Sequence, residues 1–389
     1  MTRRIFYLTR SYYPFQKGGG PIMRAGAVKY LQELGWAVTV VVPNYNSDKV
    51  VDSNNVLMIP FPTRYNARKS AFFQRIGWYE DYLDKWVLSA SDFLKCKITS
   101  HDIIIATCGG ELGMIKLGHI IKNKVGCKFV INFRDPLDFG YMNGFRKSNV
   151  LHVNREHLQE KYTKNSDLIL TSSNIYLSAL KKRFPNISPV LHNNYFGYLD
   201  SFNIDFFQKK RSDNLRIAYA GTMSEAQCPE VLYDVLKSIN EEEVEIFYIG
   251  DIDKYKPLKR INDENVHFID FMDRDRFVKF MCENIDVGFV SLVNKYYGAC
   301  VPSKIYEYIN LGIPILGVLP HGDGMNIVNT NKYGKVVTYE NRSELPSIIS
   351  GLKDPIVRSR YRERIISDRD SWHMKNRILE VHQLLKDIV

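Results

Sequence analysis

One short segment combines residue types that suit the binding of an anion. YYGACVPSKIYEYINLGIPILGV (296–318) predicts a helix over 303–311, and Gly298 and Pro302 stand before it. Ser303 opens the helix, where free backbone N–H groups attract negative charge, and Lys304 adds a cation beside them. Glu307 lies one turn further in. We predict that this N-terminus holds a phosphate while Glu307 holds a ribose or sugar diol. The alternative is a solvated lysine and glutamate at helical spacing.

Three other loops follow predicted strands and carry candidate binding residues. GGGP (18–21) opens a helix, where Gly19 and Gly20 allow a ligand to approach the backbone. NFRDPLD (132–138) sets Arg134 beside Asp135, a pair that suits a phosphate or a sugar hydroxyl, with a local ion pair as the alternative. These residues are the candidates in the first half of the chain.

The third loop, GTMSEAQ (221–227), begins at the strand-end Gly221. Either Thr222 or Ser224 is expected to cap the following helix. A dinucleotide site fits the sequence poorly, because no GxGxxG is present and the second strand ends in VVVPN, without an acid for the ribose.

Strands and helices alternate along the chain, and this order predicts an α/β fold of parallel sheets covered by helices. Strands are expected at 4–9, 37–42, 56–60, 102–107, 128–133 and 167–172, with helices near 21–34, 112–124 and 154–164. The pattern pauses at 193–214, a candidate linker. It then restarts with strands at 215–221, 244–250, 266–271, 285–292, 313–318 and 334–339. Two doubly wound domains are expected, because 389 residues exceed one ordinary core.

Composition narrows the class of protein. Hydrophobic residues make up 45% and charged residues 25% of the chain, which is globular composition. No apolar run reaches the length of a membrane span, and the N-terminus is too polar for a signal peptide, so a cytoplasmic protein is expected. The six cysteines form no CxxC pair, so we expect neither a zinc site nor a disulfide framework.

Charge is divided unevenly between the halves. Residues 1–200 hold 27 Lys+Arg against 15 Asp+Glu, whereas residues 201–389 hold 26 against 28. Either the first half meets an anionic surface or its charge only aids solubility. Residues 64–88 interleave basic and aromatic side chains, as in a helix lying on an anionic bilayer; packing onto its own domain is the alternative.

Nearly the whole chain resembles the retaining GT-B glycosyltransferases of bacterial polysaccharide assembly. In the first half the similar segments are YLTRSYYPFQKGGGP, NFRDPLD and NSDLILTSSN; in the second they are IAYAG, IFYIGD and, most specifically, PSKIYEYINLGIPILGV. The resemblance implies GT-B architecture, with two Rossmann-like domains facing a cleft. Residues 1–196 would bind the acceptor and residues 197–370 the nucleotide-sugar donor. A last helix, 371–389, would pack back on the first domain, as its apolar spacing allows.

The resemblance also implies an activity: metal-independent transfer of a sugar from a UDP-sugar or GDP-sugar to an acceptor hydroxyl, with retention. No cofactor or nucleic acid is expected. The acceptor would be a lipid-linked saccharide, on the inner face of the cell membrane, in capsule or O-antigen synthesis. Lys304, Arg134 and Asp135 would serve catalysis. The residues expected to bind the donor are Glu307, Ser303, Pro302, Gly19, Gly20, Gly221, Thr222, and Phe271 with Met272 at the nucleobase.

The sequence departs from the family pattern at three positions. The first acid of the E-x7-E signature is replaced by Ala299, and the usual diphosphate-binding Arg and Lys fall at Thr222 and Gln227. These departures leave two alternatives open: a non-catalytic sugar-nucleotide-binding partner subunit, and a nucleotide-sugar 2-epimerase. The acidic motifs at 251–253 and 273–275 are interpreted as helix caps or surface rather than metal ligands.

Overall fold

The computed structural model describes residues 3–16, 18–137, 157–185, 189–239 and 241–389, and these divide into two compact units. The first unit contains residues 1–196 and 377–389, and the second contains residues 197–376. Each unit has its own sheet.

The first unit is built on an eight-stranded sheet in the order β3-β4-β2-β1-β5-β6-β7-β8. All neighbouring strands are parallel except β3 and β4. Its strands are β1 Arg4–Leu8, β2 Ala37–Asn44, β3 Val51–Ser53, β4 Val56–Pro60, β5 Ile103–Gly109, β6 Lys128–Asp135, β7 Leu168–Thr171 and β8 Val190–Asn193. The strand order reverses between β1 and β5, the place where open α/β sheets bind ligands.

Helices connect these strands, and two of them match the helices predicted near 21–34 and 112–124. They cover Gly19–Glu33, Ala67–Arg75, Asp84–Leu94, Gly113–Val125, 157–163 and Asn174–Arg183. The first residues of the helix predicted near 154–164 lie outside the described part of the chain. The single helix expected within 64–88 is wrong: the chain forms two helices there, and Gly77 with φ +81° follows the first.

The second unit has a six-stranded, all-parallel sheet in the order β11-β10-β9-β12-β13-β14. Its strands are β9 Leu215–Ala220, β10 Val244–Ile249, β11 Val266–Ile269, β12 Val287–Ser291, β13 Ile315–Val318 and β14 Gly334–Val337. Its α-helices are Val231–Ser238, Arg274–Asn284, Ser303–Asn310, Asp323–Thr330, Leu345–Lys353 and Pro355–Asp368. Here the order reverses between β9 and β12, so a second ligand position is defined.

Burial explains why the strands read as continuous apolar runs. Ile103 to Cys108 in β5 and all of β12 are buried, as expected of central parallel strands covered on both faces. In the second unit, Ile217, Leu232 and Phe289 belong to one buried apolar cluster. The predicted α/β fold with two doubly wound sheets is confirmed.

The last helix, Met374–Asp387, begins in the second unit and continues in the first from Arg377. Trp36 lies against it and donates a hydrogen bond from Nε1 to Nδ1 of His382, at 2.9 Å. Residues 371–376 remain with the second unit, where Trp372 donates to the hydroxyl of Tyr333.

Candidate functional site

The helix Ser303–Asn310 has a fixed position against the sheet of the second unit. Its Tyr308 is fully buried and donates to the carbonyl oxygen of Phe289 at 2.9 Å. A Cβ atom on Gly288 would lie 2.6 Å from the Tyr308 ring, so only glycine lets helix and strand approach this closely. Pro302 precedes the helix and no side chain caps it, which leaves its N-terminal N–H groups to other partners.

Lys304 lies at this N-terminus in a largely enclosed environment. Its Nζ sits 4.5 Å from the centre of the Tyr219 ring. The same atom would lie 3.3 Å from a Cβ on Gly221. Within the described ranges it has no carboxylate partner. Burial lowers the pKa of Lys304 to about 8, because nothing negative compensates the charge.

Two glycines after neighbouring strands open the space beside Lys304. Gly221 follows β9 with φ +115°, and Gly250 follows β10 with φ +143°. A Cβ on Gly250 would lie 2.7 Å from the Gly221 carbonyl oxygen. The two strand ends therefore come together, and the exposed backbone of Gly221 lies next to a cation, as a bound diphosphate would require.

The loop after Gly221 differs from the prediction. The next helix begins at Val231, and its N-cap, Glu230, makes no capping hydrogen bond through its side chain. The expectation that Thr222 or Ser224 caps this helix is therefore wrong. Instead, the backbone carbonyl oxygen of Thr222 accepts a hydrogen bond from the Tyr219 hydroxyl at 2.6 Å. The Ser224 hydroxyl donates a hydrogen bond to the Gln227 side chain. Because the turn at 224–228 precedes the helix, both side chains lie too early to cap it.

Glu307 is paired with a residue that sequence reasoning assigned no function. Its Oε1 lies 2.8 Å from Nη1 of Arg274, and the two side chains form an ion pair. Burial raises the pKa of Glu307, and Arg274 opposes that rise. The Arg274 guanidinium also lies 4.9 Å from the centre of the Phe202 ring.

Arg274 opens a helix that Asp273 caps by accepting from the Arg276 N–H at 3.0 Å. The motif at 273–275 thus contains a helix cap, as expected. The signal missed was the arginine between its two acids. Just before it, Phe271 is 85% exposed, so its aromatic face is available to a ligand. Met272 occupies the same loop, which follows β11.

In the first unit, Arg134 and Asp135 belong to β6 rather than to a loop after it. The pairing of β5 with β6 shifts register between Cys108 and Gly109, so Arg134 occupies the extra position of a bulge. Bulges of this kind redirect side chains and are common beside functional sites. The Arg134 guanidinium lies 3.9 Å from the centre of the Phe196 ring. Burial, and then the charge of Arg24, lower the pKa of Arg134 to about 10.

Gly19 and Gly20 open the first helix, and Gly18 precedes them with φ +118°. A Cβ on Gly20 would lie 3.4 Å from Nη1 of Arg24. Arg24 is only 3% exposed and donates to the Ser11 hydroxyl at 2.7 Å. Sequence reasoning missed this arginine, although a charged residue among the apolar positions of a helix is a visible signal.

Two kinds of feature are absent from the described ranges. No helix there is long and apolar enough to cross a membrane. No group of three or more His, Cys, Asp or Glu side chains is arranged there to hold a metal ion.

The two parallel-sheet, Rossmann-like bodies match solved GT-B glycosyltransferase structures along nearly the whole chain, so the fold is that of the GT-B class. Trehalose-6-phosphate synthase OtsA superposes with a TM-score of 0.70 at 12% identity, covering 100% of both chains. HepE from Anabaena, in complex with UDP and glucose, gives 0.64 at 14% identity, covering 99% of this chain and 100% of that one.

The lipopolysaccharide outer core galactosyltransferase WaaB, in its apo form, gives a TM-score of 0.66 at 14% identity, covering 98% of this chain and 99% of that one. No family model and no curated protein sequence matches the chain.

Proposed function

We propose that this chain is a retaining, metal-independent glycosyltransferase that moves a hexose from a UDP-sugar or GDP-sugar to an acceptor hydroxyl. The observation that carries the proposal is Lys304, an enclosed cation without a carboxylate partner in the described ranges, at a helix N-terminus beside Gly221. A departing diphosphate gains negative charge during sugar transfer, and a fixed cation with backbone N–H groups stabilises that charge. The fold likeness to glycosyltransferases, among them HepE bound to UDP and glucose, supports the same conclusion.

The other residues of the second unit have proposed roles in donor binding. The backbone of Pro302, Ser303, Gly221 and Thr222 approaches the diphosphate, since Gly221 has no side chain and none caps the helix N-terminus. Glu307 accepts from the ribose diol. Phe271 and Met272 contact the nucleobase, because an exposed aromatic face suits stacking.

In the first unit, Arg134 and Asp135 are proposed to contact the reacting sugars, and Gly19 and Gly20 allow a ligand close to the first helix. No protein nucleophile is nominated, because charge stabilisation and positioning of the two substrates supply the catalysis. We place the reaction in surface polysaccharide synthesis, with a saccharide carried on a lipid as the acceptor.

Binding of the donor is the first test. We expect UDP or GDP, with the matching nucleotide sugar, to raise the melting temperature of the full chain, because a ligand that binds only the folded state stabilises it by mass action. ADP serves as the comparison nucleotide. If no nucleoside diphosphate stabilises the protein, the proposed function is wrong.

The absence of acids and cations at Ala299, Thr222 and Gln227 favours a second candidate, a non-catalytic sugar-nucleotide-binding subunit of the same fold. A nucleotide-sugar 2-epimerase is the third. The three are separated by release of nucleoside diphosphate from the donor. A transferase releases it when an acceptor is added, a binding subunit does not release it, and an epimerase acts without acceptor.

An exposed aromatic and basic surface supports the proposed location at an anionic membrane. Trp78 is 73% exposed and stacks on Phe73 with 5.1 Å between ring centres, and Phe72 is 56% exposed. Arg68 and Lys69 lie on the helix just before them. Aromatic rings enter the bilayer interface, while cations attract acidic headgroups.

We expect the protein to float with vesicles containing anionic lipid at low salt, and to remain in solution with neutral vesicles. Reversing both charges in the Arg68→Glu, Lys69→Glu double variant should abolish flotation, because the attraction becomes repulsion. The matched control is Lys181→Glu with Lys182→Glu, an exposed basic pair on the helix Asn174–Arg183, which should float normally. Equal loss in both double variants would show that only net charge matters, and the assignment of this surface would fail.

A further inference from the structure

Three charged side chains of the first unit converge on Gly109, at the end of β5. A Cβ on Gly109 would lie 3.3 Å from Nη2 of Arg24, 3.4 Å from Oε2 of Glu111 and 3.6 Å from Nη2 of Arg10. Arg10 follows β1, and β1 and β5 are the neighbouring strands between which the strand order reverses. The cluster therefore occupies the ligand position of this sheet.

Three buried polar atoms, two in this cluster and one on the nearby Tyr7, have hydrogen-bonding capacity that the described residues do not use. They are the Tyr7 hydroxyl, Nε of Arg24 and Oε1 of Glu111, on side chains that are 2%, 3% and 2% exposed. A buried polar group without a partner destabilises the folded state, so such groups are rare and seldom gather in one place. Their concentration indicates a site built for a polar ligand.

The charges of the cluster favour an anion. Around Gly109, Arg10, Arg24 and Arg134 face the carboxylates of Glu111 and Asp135, which leaves one positive charge in excess there. A further buried carboxylate, Asp81, acts on the tyrosines of the adjoining cavity and accepts hydrogen bonds from the Leu83 and Leu112 N–H groups. One oxygen of Glu111 is engaged twice: Oε2 accepts from the Gly109 N–H at 2.9 Å and pairs with Nη1 of Arg10 at 3.4 Å, whereas Oε1 has no partner among the described residues. Asp135 offsets part of the charge of Arg134, so Arg24 and Arg134 together provide the one positive charge that remains for an incoming negative group.

A cavity lined by aromatic residues continues from the cluster. Arg10 and Ser11 line a cavity of about 410 Å³ together with Tyr45, Tyr65 and Tyr82. Tyr45 and Tyr65 also line a neighbouring cavity of about 1000 Å³. The Tyr45 and Tyr65 rings have centres 5.1 Å apart. Tyrosine combines an apolar face with a hydroxyl, which suits the alternating apolar and polar faces of sugar rings.

We propose that this cluster and its cavities bind an anionic saccharide. A carboxylate or phosphate of the saccharide contacts Arg24 and Arg134, and its rings lie against Tyr45 and Tyr65. Calling this saccharide the acceptor of the transfer rests on the proposed function, but the binding itself does not.

Calorimetry on the full chain tests the proposal with four probes: glucuronic acid, glucose 6-phosphate, glucose and inorganic phosphate. We expect at least one charged sugar to bind about tenfold or more tightly than glucose, because a charged hydrogen bond contributes that much. Which charged sugar binds more tightly distinguishes a carboxylate-bearing from a phosphate-bearing ligand. Tyr65→Ala should lower the affinity for the charged sugar and leave the affinity for inorganic phosphate unchanged, since only the sugar has a ring to stack on the tyrosine.

Arg24→Gln should lower the affinity for the charged sugar about tenfold or more. Lys29→Gln is the matched control, because it removes an exposed cation from the same helix and should bind normally. If Arg24→Gln fails to fold, Arg10→Gln, at a partly exposed side chain, replaces it and should also weaken binding.

Equal affinity for glucose and the charged sugars, or unchanged binding by both arginine variants, would overturn the inference. So would competition between the charged sugar and a nucleoside diphosphate, since the cluster would then belong to the donor site. The two proposals can also fail separately. If charged sugars bind but no nucleotide stabilises the protein, this inference stands and the proposed function fails.

Discussion

The Lys304→Ala protein is expected to turn over saturating donor about 10²–10³ times more slowly than the wild type. Removing one preorganised donor that stabilises developing negative charge typically has an effect of that size. Lys304 has no carboxylate partner in the described ranges, so its charge is not already neutralised by the protein. The loss should appear mainly in kcat, because the charge on the diphosphate grows as the bond to the sugar breaks.

The pH dependence of the wild type provides an independent signature. The pKa of Lys304 is lowered to about 8 by burial, so its positive charge is present below that pH and lost as the pH rises through it. For the free enzyme, kcat/KM for the donor should therefore fall above about pH 8. Lys304→Arg keeps its charge throughout this range, so its alkaline decline should disappear.

Lys295→Ala is the control for Lys304→Ala, because it removes an exposed lysine shortly before the same helix. Removing a half-buried cation that has no carboxylate partner in the described ranges should not unfold the protein, since that charge contributes little to stability. A folded Lys304→Ala protein with wild-type kcat would contradict the role proposed for this residue.

The order of strands and helices was readable from the sequence because parallel strands are buried on both faces and become short, unbroken apolar runs. The exceptions lie at the sheet edge. Val51–Ser53 is three exposed residues long, and it forms a strand only because Val56–Pro60 offers an open edge to pair with. No local pattern marks such a strand.

Candidate positions on loops and helix ends were also readable, since Gly, Pro and Lys at helix starts reflect local backbone chemistry. The contacts that a side chain makes across the sheet could not be predicted from the sequence. The ion pair of Arg274 with Glu307 joins residues far apart in sequence, and the bulge at Arg134 depends on the pairing of β5 with β6. The burial of Arg24 likewise depends on segments far apart in sequence, because Ser11 and Gly109 both lie beside its guanidinium.

The second large effect is expected at Glu307. Glu307→Gln should raise the donor KM about 10- to 100-fold, because a hydrogen bond to a charged group contributes about 1.5–3 kcal/mol. The ribose changes little during sugar transfer, so kcat should change much less than KM. Steady-state kinetics with varied donor gives both numbers.

The contact between Arg274 and Glu307 offers a competing explanation, because Glu307→Gln also removes the carboxylate that faces the arginine. A double-mutant cycle separates the two. If Glu307 binds the ribose, Glu307→Gln should still weaken donor binding when Arg274 has already been replaced by Gln. If it only positions Arg274, the second substitution should have no further effect.

A nucleotide without the ribose hydroxyls makes the assignment specific. The wild type should bind the preferred nucleoside diphosphate about tenfold or more tightly than its 2′,3′-dideoxy analogue, since the analogue cannot donate hydrogen bonds to the Glu307 carboxylate. The Glu307→Gln protein should bind the two nearly equally. If wild type and variant discriminate alike, the ribose contacts another residue, and the helix N-terminus at Ser303 would hold the diphosphate without help from Glu307.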